Sequence, residues 1–257
     1  MKDKKFNNLR TKLFKNYADS RINTQFLEYC VDNKLLENKI LCGMSLRDNT
    51  IFKLNSFQDN MSFSGKGSSI AARFIILQLL IKYSNNIKLF IYDPKLKGID
   101  YPLGAKKFNQ VNIKTNEQDF CLLINSLFDD FKQNNSDKKN KVILINKADI
   151  IFKSTGLNIN NNYNKVGTIE NKLYQLCNAN KLGYHIILTS KDELNSFLNN
   201  NIIQCFNYRV NLSNNIKDLG KGTSSLHSGK KRFFFISNET RNRDIDYLLN
   251  KYLNIIH

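Results

Sequence analysis

The sequence predicts an α/β fold with a mainly parallel sheet that helices cover on both faces. Short apolar runs, typical of buried strands, alternate along the chain with longer segments of helical periodicity. One of these passages, Asn60–Ile81, runs through a loop of small residues directly into an apolar helix. At 257 residues, of which 41% are hydrophobic, the chain is long enough to bury the core that such a sheet needs.

The segment ahead of this loop has two parts. Phe6–Leu36 carries helical periodicity and defines a predicted N-terminal helical segment, residues 1–36. Lys39–Gly43 is short and apolar, Thr50–Leu54 alternates with the two-residue period of a strand, and a turn signal separates them. We therefore expect a hairpin between the helical segment and the loop.

After the loop, helices and strands alternate. The predicted strands are Lys88–Tyr92, Val142–Ile145, His185–Ser190, Cys205–Leu212 and Arg232–Ile236. The predicted helices are Ile70–Tyr83, Glu117–Asn134, Ile169–Asn180, Asp192–Leu198 and Asp244–Ile256. Residues 133–141 and 154–166 have the polar composition of flexible surface insertions. This order predicts one domain over residues 37–257.

The net charge of +17 favours an anionic partner, with DNA or RNA ahead of a membrane surface. An AT-rich coding sequence would produce the same abundance of Lys, Asn and Ile without selection for nucleic-acid binding. No apolar run reaches the roughly 18 residues of a membrane span. Five isolated cysteines argue against a zinc site and a disulfide scaffold. We expect a protein of a reducing compartment, the cytoplasm or an organelle interior, that is compatible with association with a membrane complex.

The small-residue loop predicts phosphate binding, because glycines let backbone N–H groups face an anion at a helix N-terminus. A P-loop reads G-x-x-x-x-G-K-[ST]. With Gly65-Lys66 as its G-K pair, the first glycine position falls on Asn60 and the hydroxyl position on Gly67. With Gly67 as the last glycine, the first glycine position is Ser62 and the lysine position is Ser68. We therefore predict an eroded P-loop whose candidate nucleotide-binding residues are Gly65, Lys66, Gly67, Ser68 and Ser69.

The apolar strand that ends at Ile145 is where a P-loop protein places a metal-holding carboxylate and a Glu that orients the attacking water. Here Asn146 offers the metal no charge, and Lys147 has the wrong sign for a base. Asp149 is a candidate to reach back, with a helix N-cap or a solvated turn residue as its alternative role. No catalytic residue and no metal site are assigned.

The motifs in this order resemble the FtsK/SpoIIIE family of P-loop DNA translocases, from about Phe26 to the C-terminus. Phe63–Leu80 is similar to the family's phosphate loop and helix, and Val142–Ile151 to its Walker B strand. Phe90–Lys95 looks like the strand that ends in Asp-Pro-Lys, which makes Asp93 and Lys95 strand-end candidates. Gly183–Thr189 resembles the γ-phosphate sensor strand, with Thr189 and Ser190 as sensor-like residues. Leu219–Phe233 is similar to the family's glycine-bearing hairpin.

This resemblance implies a RecA-like P-loop NTPase fold, ATP and Mg²⁺ as cofactors, and DNA, favoured over RNA, as partner. All three chemical positions depart from the family pattern: Ser68 replaces its Lys, Asn146-Lys147 its Asp-Glu, and Ser190 its Gln. Lys66 is a candidate to replace the lysine in part, and these departures weaken the expectation for both cofactors. We predict a degenerate member with little or no ATP hydrolysis, an oligomer or a subunit beside an active FtsK-like ATPase.

Two other functions stay open. An active translocase would use Lys66 and Asp149. A basic structural protein of a ribonucleoprotein would retain the fold as a relic, and charge at both chain ends favours it. Lys230-Lys231-Arg232, on a predicted turn, would track a nucleic-acid backbone or form a solvated charged turn. Asp93 is either a site residue or part of an Asp-Pro turn, and His185 is predicted to be a core histidine.

Overall fold

A computed structural model describes residues 28, 31–32, 34, 39–45, 51–55, 59–65, 67–83, 85–94, 111–133, 139–154, 166–212, 223–228, 231–237 and 251. The strands are β1 (Lys39–Ser45), β2 (Ile51–Asn55), β3 (Met61–Gly65), β4 (Ile87–Tyr92), β5 (Val111–Lys114), β6 (Asn140–Ile145), β7 (Tyr184–Ser190), β8 (Tyr208–Leu212), β9 (Thr223–Ser228) and β10 (Lys231–Ser237). The helices are α1 (Ser68–Tyr83), α2 (Glu117–Lys132), α3 (Ala148–Ser154), α4 (Val166–Cys177) and α5 (Asn200–Gln204). Short 3₁₀ turns cover Asn180–Leu182 and Leu194–Ser196.

The strands form one sheet in the order β2-β1-β10-β9-β8-β3-β7-β6-β4-β5. The run from β8 to β5 is parallel throughout, and the pairs from β2 to β8 are antiparallel. β3, which leads into the glycine loop, lies between β8 and β7, with Phe63 opposite both Val210 and Thr189. β7 therefore separates β3 from β6. The carboxyl ends of all three strands meet at one edge, the place where open α/β sheets bind ligands.

Helices cover both faces of the parallel strands. On one face, Ile143 and Ile145 of β6 and Ile186 and Leu188 of β7 share a cluster with apolar side chains of α2, α4 and α5. The alternate side chains of the same strands are also buried, and α1 packs against β3, β7 and β1 outside that cluster. Parallel strands buried on both faces are apolar runs rather than alternating ones, which is why the sequence shows them clearly. The predicted mainly parallel α/β fold is confirmed.

A buried glutamine ties α1 to the hairpin strand β1. The side chain of Gln78 accepts a hydrogen bond from the Leu41 N–H at 2.6 Å and donates to the Leu41 carbonyl at 2.9 Å. The Gln78 side chain therefore satisfies both backbone groups of Leu41, as a neighbouring strand would. The predicted hairpin is confirmed as the antiparallel pair β1 and β2.

Some predicted boundaries are wrong. The predicted strand Cys205–Leu212 begins only at Tyr208, because Cys205 is the C-cap of the short helix α5. Asn199 caps the other end of α5 by accepting the Ile202 N–H at 3.0 Å. The predicted helix Asp192–Leu198 is reduced to the 3₁₀ turn at Leu194–Ser196. The strands β3 and β5 were not predicted. Neither shows a long apolar run, since β3 reads MSFSG and β5 reads VNIK.

Parts of the predicted organisation fall outside the described residues, namely residues 134–138 and 155–165 of the insertions and most of the segment 1–36. Of the insertion 133–141, Gln133 follows α2, and Asn140 and Lys141 begin β6. The predicted helix Asp244–Ile256 is represented by Lys251 alone, whose ammonium forms ion pairs with Glu28 and Asp32. In the portion of the chain that the structure describes, no helix has the length and apolar character needed to span a membrane.

Candidate functional site

The predicted phosphate loop is a short connection between β3 and α1. β3 ends at Gly65 and α1 begins at Ser68. Gly65 and Gly67 have φ angles of +94° and +95°, which side chains rarely adopt. A Cβ on Gly65 would also lie 2.5 Å from the Leu212 carbonyl oxygen of β8, whereas none of the described atoms lies within 4 Å of one on Gly67. Lys66, the predicted substitute for the missing lysine, lies outside the described residues.

Two serine hydroxyls anchor the first turn of α1 to neighbouring strand ends. The Ser69 hydroxyl donates to Asn146 Oδ1 at 2.7 Å, and the Ser68 hydroxyl donates to the Ser190 carbonyl at 2.9 Å. Ser69 therefore meets the end of β6, where the hydroxyl of a G-K-[ST] pattern meets the Walker B position. This geometry matches the register in which Gly67 is the last glycine and Ser68 takes the lysine position.

Asn60, the first glycine position of the other register, lies at the opposite end of β3. Its fully buried side chain donates to the carbonyls of Cys177 at 2.7 Å and Cys205 at 3.2 Å, and it accepts the Ile186 N–H at 2.8 Å. Asn60 thus joins β3, β7 and the ends of two helices. Its role is structural, and nothing in the sequence near Asn60 signals it, because its partners are remote in the chain.

Asn146 is the centre of a small buried network at the end of β6. Its Oδ1 accepts hydrogen bonds from Ser69 and, at 2.6 Å, from the Thr189 hydroxyl. Thr189 in turn accepts the Lys147 N–H at 2.9 Å. Asn146 is fully buried, yet its Nδ2 has no hydrogen-bond partner within the described part of the chain. One amide therefore links the start of α1 to the ends of β7 and β6 and leaves one donor unpaired.

The two charged residues after Asn146 have different surroundings. Lys147 has a φ of +54°, the left-handed conformation, which is uncommon for lysine. Asp149 is buried in the first turn of α3, and its Oδ1 accepts the Lys191 N–H at 3.1 Å. Both predicted alternatives for Asp149 are wrong, since α3 begins one residue before it and its side chain is not solvated.

The remaining site candidates are divided between this edge and other places. Thr189 and Ser190 are buried at the end of β7, and the Ser190 hydroxyl donates to the Asp192 carbonyl at 2.6 Å. Asp93 is buried directly after β4, next to Asn146, whose N–H donates to the Tyr92 carbonyl at 2.9 Å. Lys95 lies outside the described residues.

The basic run at 230–232 lies away from this edge. Lys230 is outside the described residues, and only the backbones of Lys231 and Arg232 are described. Both lie at the start of β10, where Lys231 pairs with Ser228 and Arg232 with His227. The predicted strand Arg232–Ile236 is confirmed and begins one residue earlier, so Lys231 is not on a turn. Their contact with nucleic acid stays a prediction.

Mg²⁺ does not fit the end of β6. The only side-chain oxygen of Asn146 already accepts two hydroxyl groups, and its other atom is a donor. Mg²⁺ requires oxygen ligands, with carboxylates preferred, and the next residue is the cation Lys147. Across the described ranges, no three His, Cys, Asp or Glu side chains come together to hold a metal ion.

His185, predicted to be a core histidine, is buried within β7, with Nε2 3.2 Å from Asn140 Oδ1. Burial lowers the pKa of His185 to about 4, because the charged imidazole is poorly solvated there. This hydrogen bond to Asn140 does not connect His185 to the residues at the carboxyl edge. Its surroundings agree with a structural role.

No protein-family model and no curated protein sequence matches the chain. Solved structures do match it in fold. The pCW3 conjugation coupling protein TcpA, in its monomer form with ATPγS, is 14% identical with a TM-score of 0.67, over 86% of this chain and 73% of TcpA. EssC (ATPases 2 and 3) from Geobacillus thermodenitrificans is 12% identical with a TM-score of 0.62, over 86% of this chain and 50% of EssC.

The cytoplasmic domain of the Type VII secretion ATPase EccC from Thermomonospora curvata is 12% identical with a TM-score of 0.58. The match covers 79% of this chain and 28% of EccC, so the chain spans half or less of the EssC and EccC structures. These likenesses establish the fold. The chain has a RecA-like P-loop NTPase fold, as the sequence predicted, and shares it with TcpA, EssC and EccC.

Proposed function

We propose that this chain is a translocase-fold subunit that does not hydrolyse ATP and that serves as a structural partner of an active ATPase in a DNA-translocation or secretion-type assembly. The observation that carries the proposal is the double hydrogen bond to Asn146 Oδ1 from Ser69 and Thr189. A neutral amide occupies the position at which phosphoryl transfer needs a metal-holding carboxylate.

The size of the expected defect supports loss of hydrolysis. Ser68, Asn146 and Lys147 each replace a group that would make a charge-assisted contact to phosphate, metal or water. One such contact contributes about 1.5–3 kcal/mol. Since 1.36 kcal/mol of barrier corresponds to a factor of ten in rate, losing three would slow the reaction by on the order of 10³–10⁷-fold.

An active mechanism through Asp149 is less well supported. The Asp149 carboxylate accepts the Lys191 N–H and is buried in the first turn of α3. Moving it toward a metal would break this hydrogen bond, which contributes about 1 kcal/mol. Asp149 instead holds α3 against the segment that follows β7.

The scaffold around the altered site is well packed. The strands β6 and β7 are buried on both faces, α1 is buried over most of its length, and Asn60 joins β3 to β7. A protein with this core can present a defined surface to a partner without turnover. TcpA is a conjugation coupling protein, EssC contains ATPases, and EccC is a Type VII secretion ATPase. We therefore place the chain in an assembly of that kind, with DNA favoured over RNA because of the +17 charge.

Steady-state phosphate release from Mg·ATP, with and without linear duplex DNA, tests the proposal. Wild type is compared with Ser69→Ala, which removes the hydroxyl bonded to Asn146, and with Ser196→Ala, the same change at an exposed turn. We expect equal, background release from all three. DNA-stimulated release that Ser69→Ala abolishes and Ser196→Ala retains would overturn the proposal.

The partner is tested separately by purifying the tagged chain from its native cells. Co-purification with a second P-loop ATPase in a high-molecular-weight complex supports the proposed subunit role. Co-purification with RNA in its place would favour the ribonucleoprotein function and contradict the proposed partner.

A further inference from the structure

We propose that the edge formed by the ends of β3, β6 and β7 binds the phosphate chain of a nucleoside di- or triphosphate without Mg²⁺. In this site Asn146 Nδ2 and the Lys147 ammonium take the place of the metal. The inference rests on the proposed loss of hydrolysis for its biological meaning, but binding and turnover are measured independently.

The first observation is the unpaired donor of Asn146. The residue is fully buried, and its Nδ2 has no partner in the described part of the chain. The amide oxygen faces the Ser69 and Thr189 hydroxyls, both of which donate to it, so Nδ2 points away from them. A buried donor without a partner costs about 1–3 kcal/mol and is rare in native proteins. The unpaired group is therefore an N–H donor, which suits an anion and not a cation.

The second observation is the helix N-terminus beside this donor. α1 has 16 residues, begins at Ser68 and has no acidic residue in its first turn. Its first N–H groups and its macrodipole favour negative charge at this end. Because Ser69 in the first turn is bonded to Asn146, the amide lies at the N-terminus of α1. Two independent sets of donors are thus located at the same place.

The third observation is the charge at the three altered positions, counted apart from the carboxylates Asp93 and Asp149 at the same edge. A P-loop with Lys, Asp, Glu and one Mg²⁺ carries one net positive charge, and Ser68, Asn146 and Lys147 carry the same net charge without a metal. Lys147 is held in the left-handed conformation directly after Asn146, which costs about 1–2 kcal/mol for a residue with a side chain. Strained residues of this kind concentrate at ligand sites.

Mg²⁺ would weaken this binding. The carboxylates Asp93 and Asp149 follow β4 and β6 at this edge, and within the described ranges no third acidic, His or Cys side chain joins them to form a metal site. A metal on the phosphates would compete with Asn146 Nδ2 and Lys147 for the same oxygens. Mg²⁺ also neutralises the negative charge of the phosphates, which is what Lys147 would attract.

The test is equilibrium binding of a fluorescent N-methylanthraniloyl ATP in EDTA and in excess Mg²⁺, with inorganic tripolyphosphate as competitor. We expect micromolar binding in EDTA, at least threefold weaker binding in Mg²⁺, and displacement by tripolyphosphate. Asn146→Asp should lower the metal-free affinity at least tenfold and should make added Mg²⁺ increase it. The control Asn200→Asp introduces the same charge at an exposed position of α5 and should leave both affinities unchanged.

A second variant keeps the test decisive if Asn146→Asp does not fold. Lys147→Gln retains a long side chain and should lower the metal-free affinity at least tenfold, whereas Lys181→Gln, on an exposed 3₁₀ turn, should not. Binding that requires Mg²⁺, or no binding in EDTA, would overturn the inference. Mg²⁺-dependent binding without turnover would overturn the inference and leave the proposed function intact. Metal-free binding with turnover in Mg²⁺ would overturn the proposed function and leave the inference intact.

Discussion

The Ser69 hydroxyl donates a 2.7 Å hydrogen bond to Asn146 Oδ1 and so joins the first turn of α1 to the end of β6. In the sheet, β7 lies between β6 and β3, the strand that leads into α1. The Thr189 hydroxyl of β7 donates to the same oxygen. Neutral hydrogen bonds thus hold together the edge that a metal and carboxylates organise in an active P-loop protein. The geometry of the site is retained while its chemistry is altered.

Two glycines of the loop differ in their tolerance of a side chain. Gly65→Ala places a Cβ 2.5 Å from the Leu212 carbonyl oxygen, whereas Gly67→Ala meets none of the described atoms within 4 Å. Both positions have positive φ, so both variants pay the conformational cost of about 1–2 kcal/mol. We expect Gly65→Ala to lower the free energy of unfolding by clearly more than Gly67→Ala, as urea denaturation would measure. Equal losses would show that β8 does not press on the loop.

Asn60 should be a major contributor to stability. Asn60→Ala removes a fully buried side chain and leaves the Ile186 N–H and the carbonyls of Cys177 and Cys205 without their partner. We expect a loss on the order of 3 kcal/mol in the free energy of unfolding, because unpaired buried groups cost about 1–3 kcal/mol each. Asn195→Ala, at an exposed position, is the control. A loss below 1 kcal/mol for Asn60→Ala would contradict this role.

His185 should make stability depend on acidity. Its folded-state pKa is about 4, lowered from 6.5 by burial, so between these values protons bind the unfolded chain preferentially. The free energy of unfolding should therefore fall as the pH drops from about 6.5 to about 4, by on the order of 3 kcal/mol from this residue. Denaturant unfolding near both ends of this range, on wild type and His185→Gln, measures the difference. An equally steep fall in both proteins would refute the assignment.

Cys205 should be a reactive thiol at neutral pH. Hydrogen bonds with Cys177 and, to a smaller extent, Asn178 lower the pKa of Cys205 to about 7, against the opposing effect of burial. Burial raises the pKa values of Cys42 and Cys177. Only the thiolate reacts rapidly, so iodoacetamide at pH 7 should label Cys205 ahead of those two. Mass spectrometry of wild type, Cys205→Ser and Cys121→Ser would check this. Fast labelling that persists in Cys205→Ser but is lost in Cys121→Ser would contradict it.

The parallel part of the fold was predictable because its strands are apolar on both faces. β6, which reads NKVILI, and β7, which reads YHIILTS, stand out in the sequence for that reason. β3 did not, because Ser62 and Ser64 interrupt its apolar residues. The helix α5 was not predicted, since its start depends on an Asn199 cap that short apolar runs do not signal.

The site was predictable only as a set of sequence positions. The contact between Ser69 and Asn146 joins residues 77 positions apart, so the choice between two loop registers needed the folded sheet. The buried clamp of Asn60 and the bond from Lys191 to Asp149 are equally long-range. The left-handed backbone of Lys147 had no signal, because lysine rarely adopts it.

Single-turnover hydrolysis tests the proposed loss of ATPase activity most directly. The chain is held in excess over γ-labelled Mg·ATP with duplex DNA present, so that even one slow turnover per site is detected. We expect no more labelled phosphate than a heat-denatured sample releases over the same hours. Release whose rate rises with chain concentration, and which Ser69→Ala removes, would contradict the assignment of this chain as a non-hydrolysing subunit.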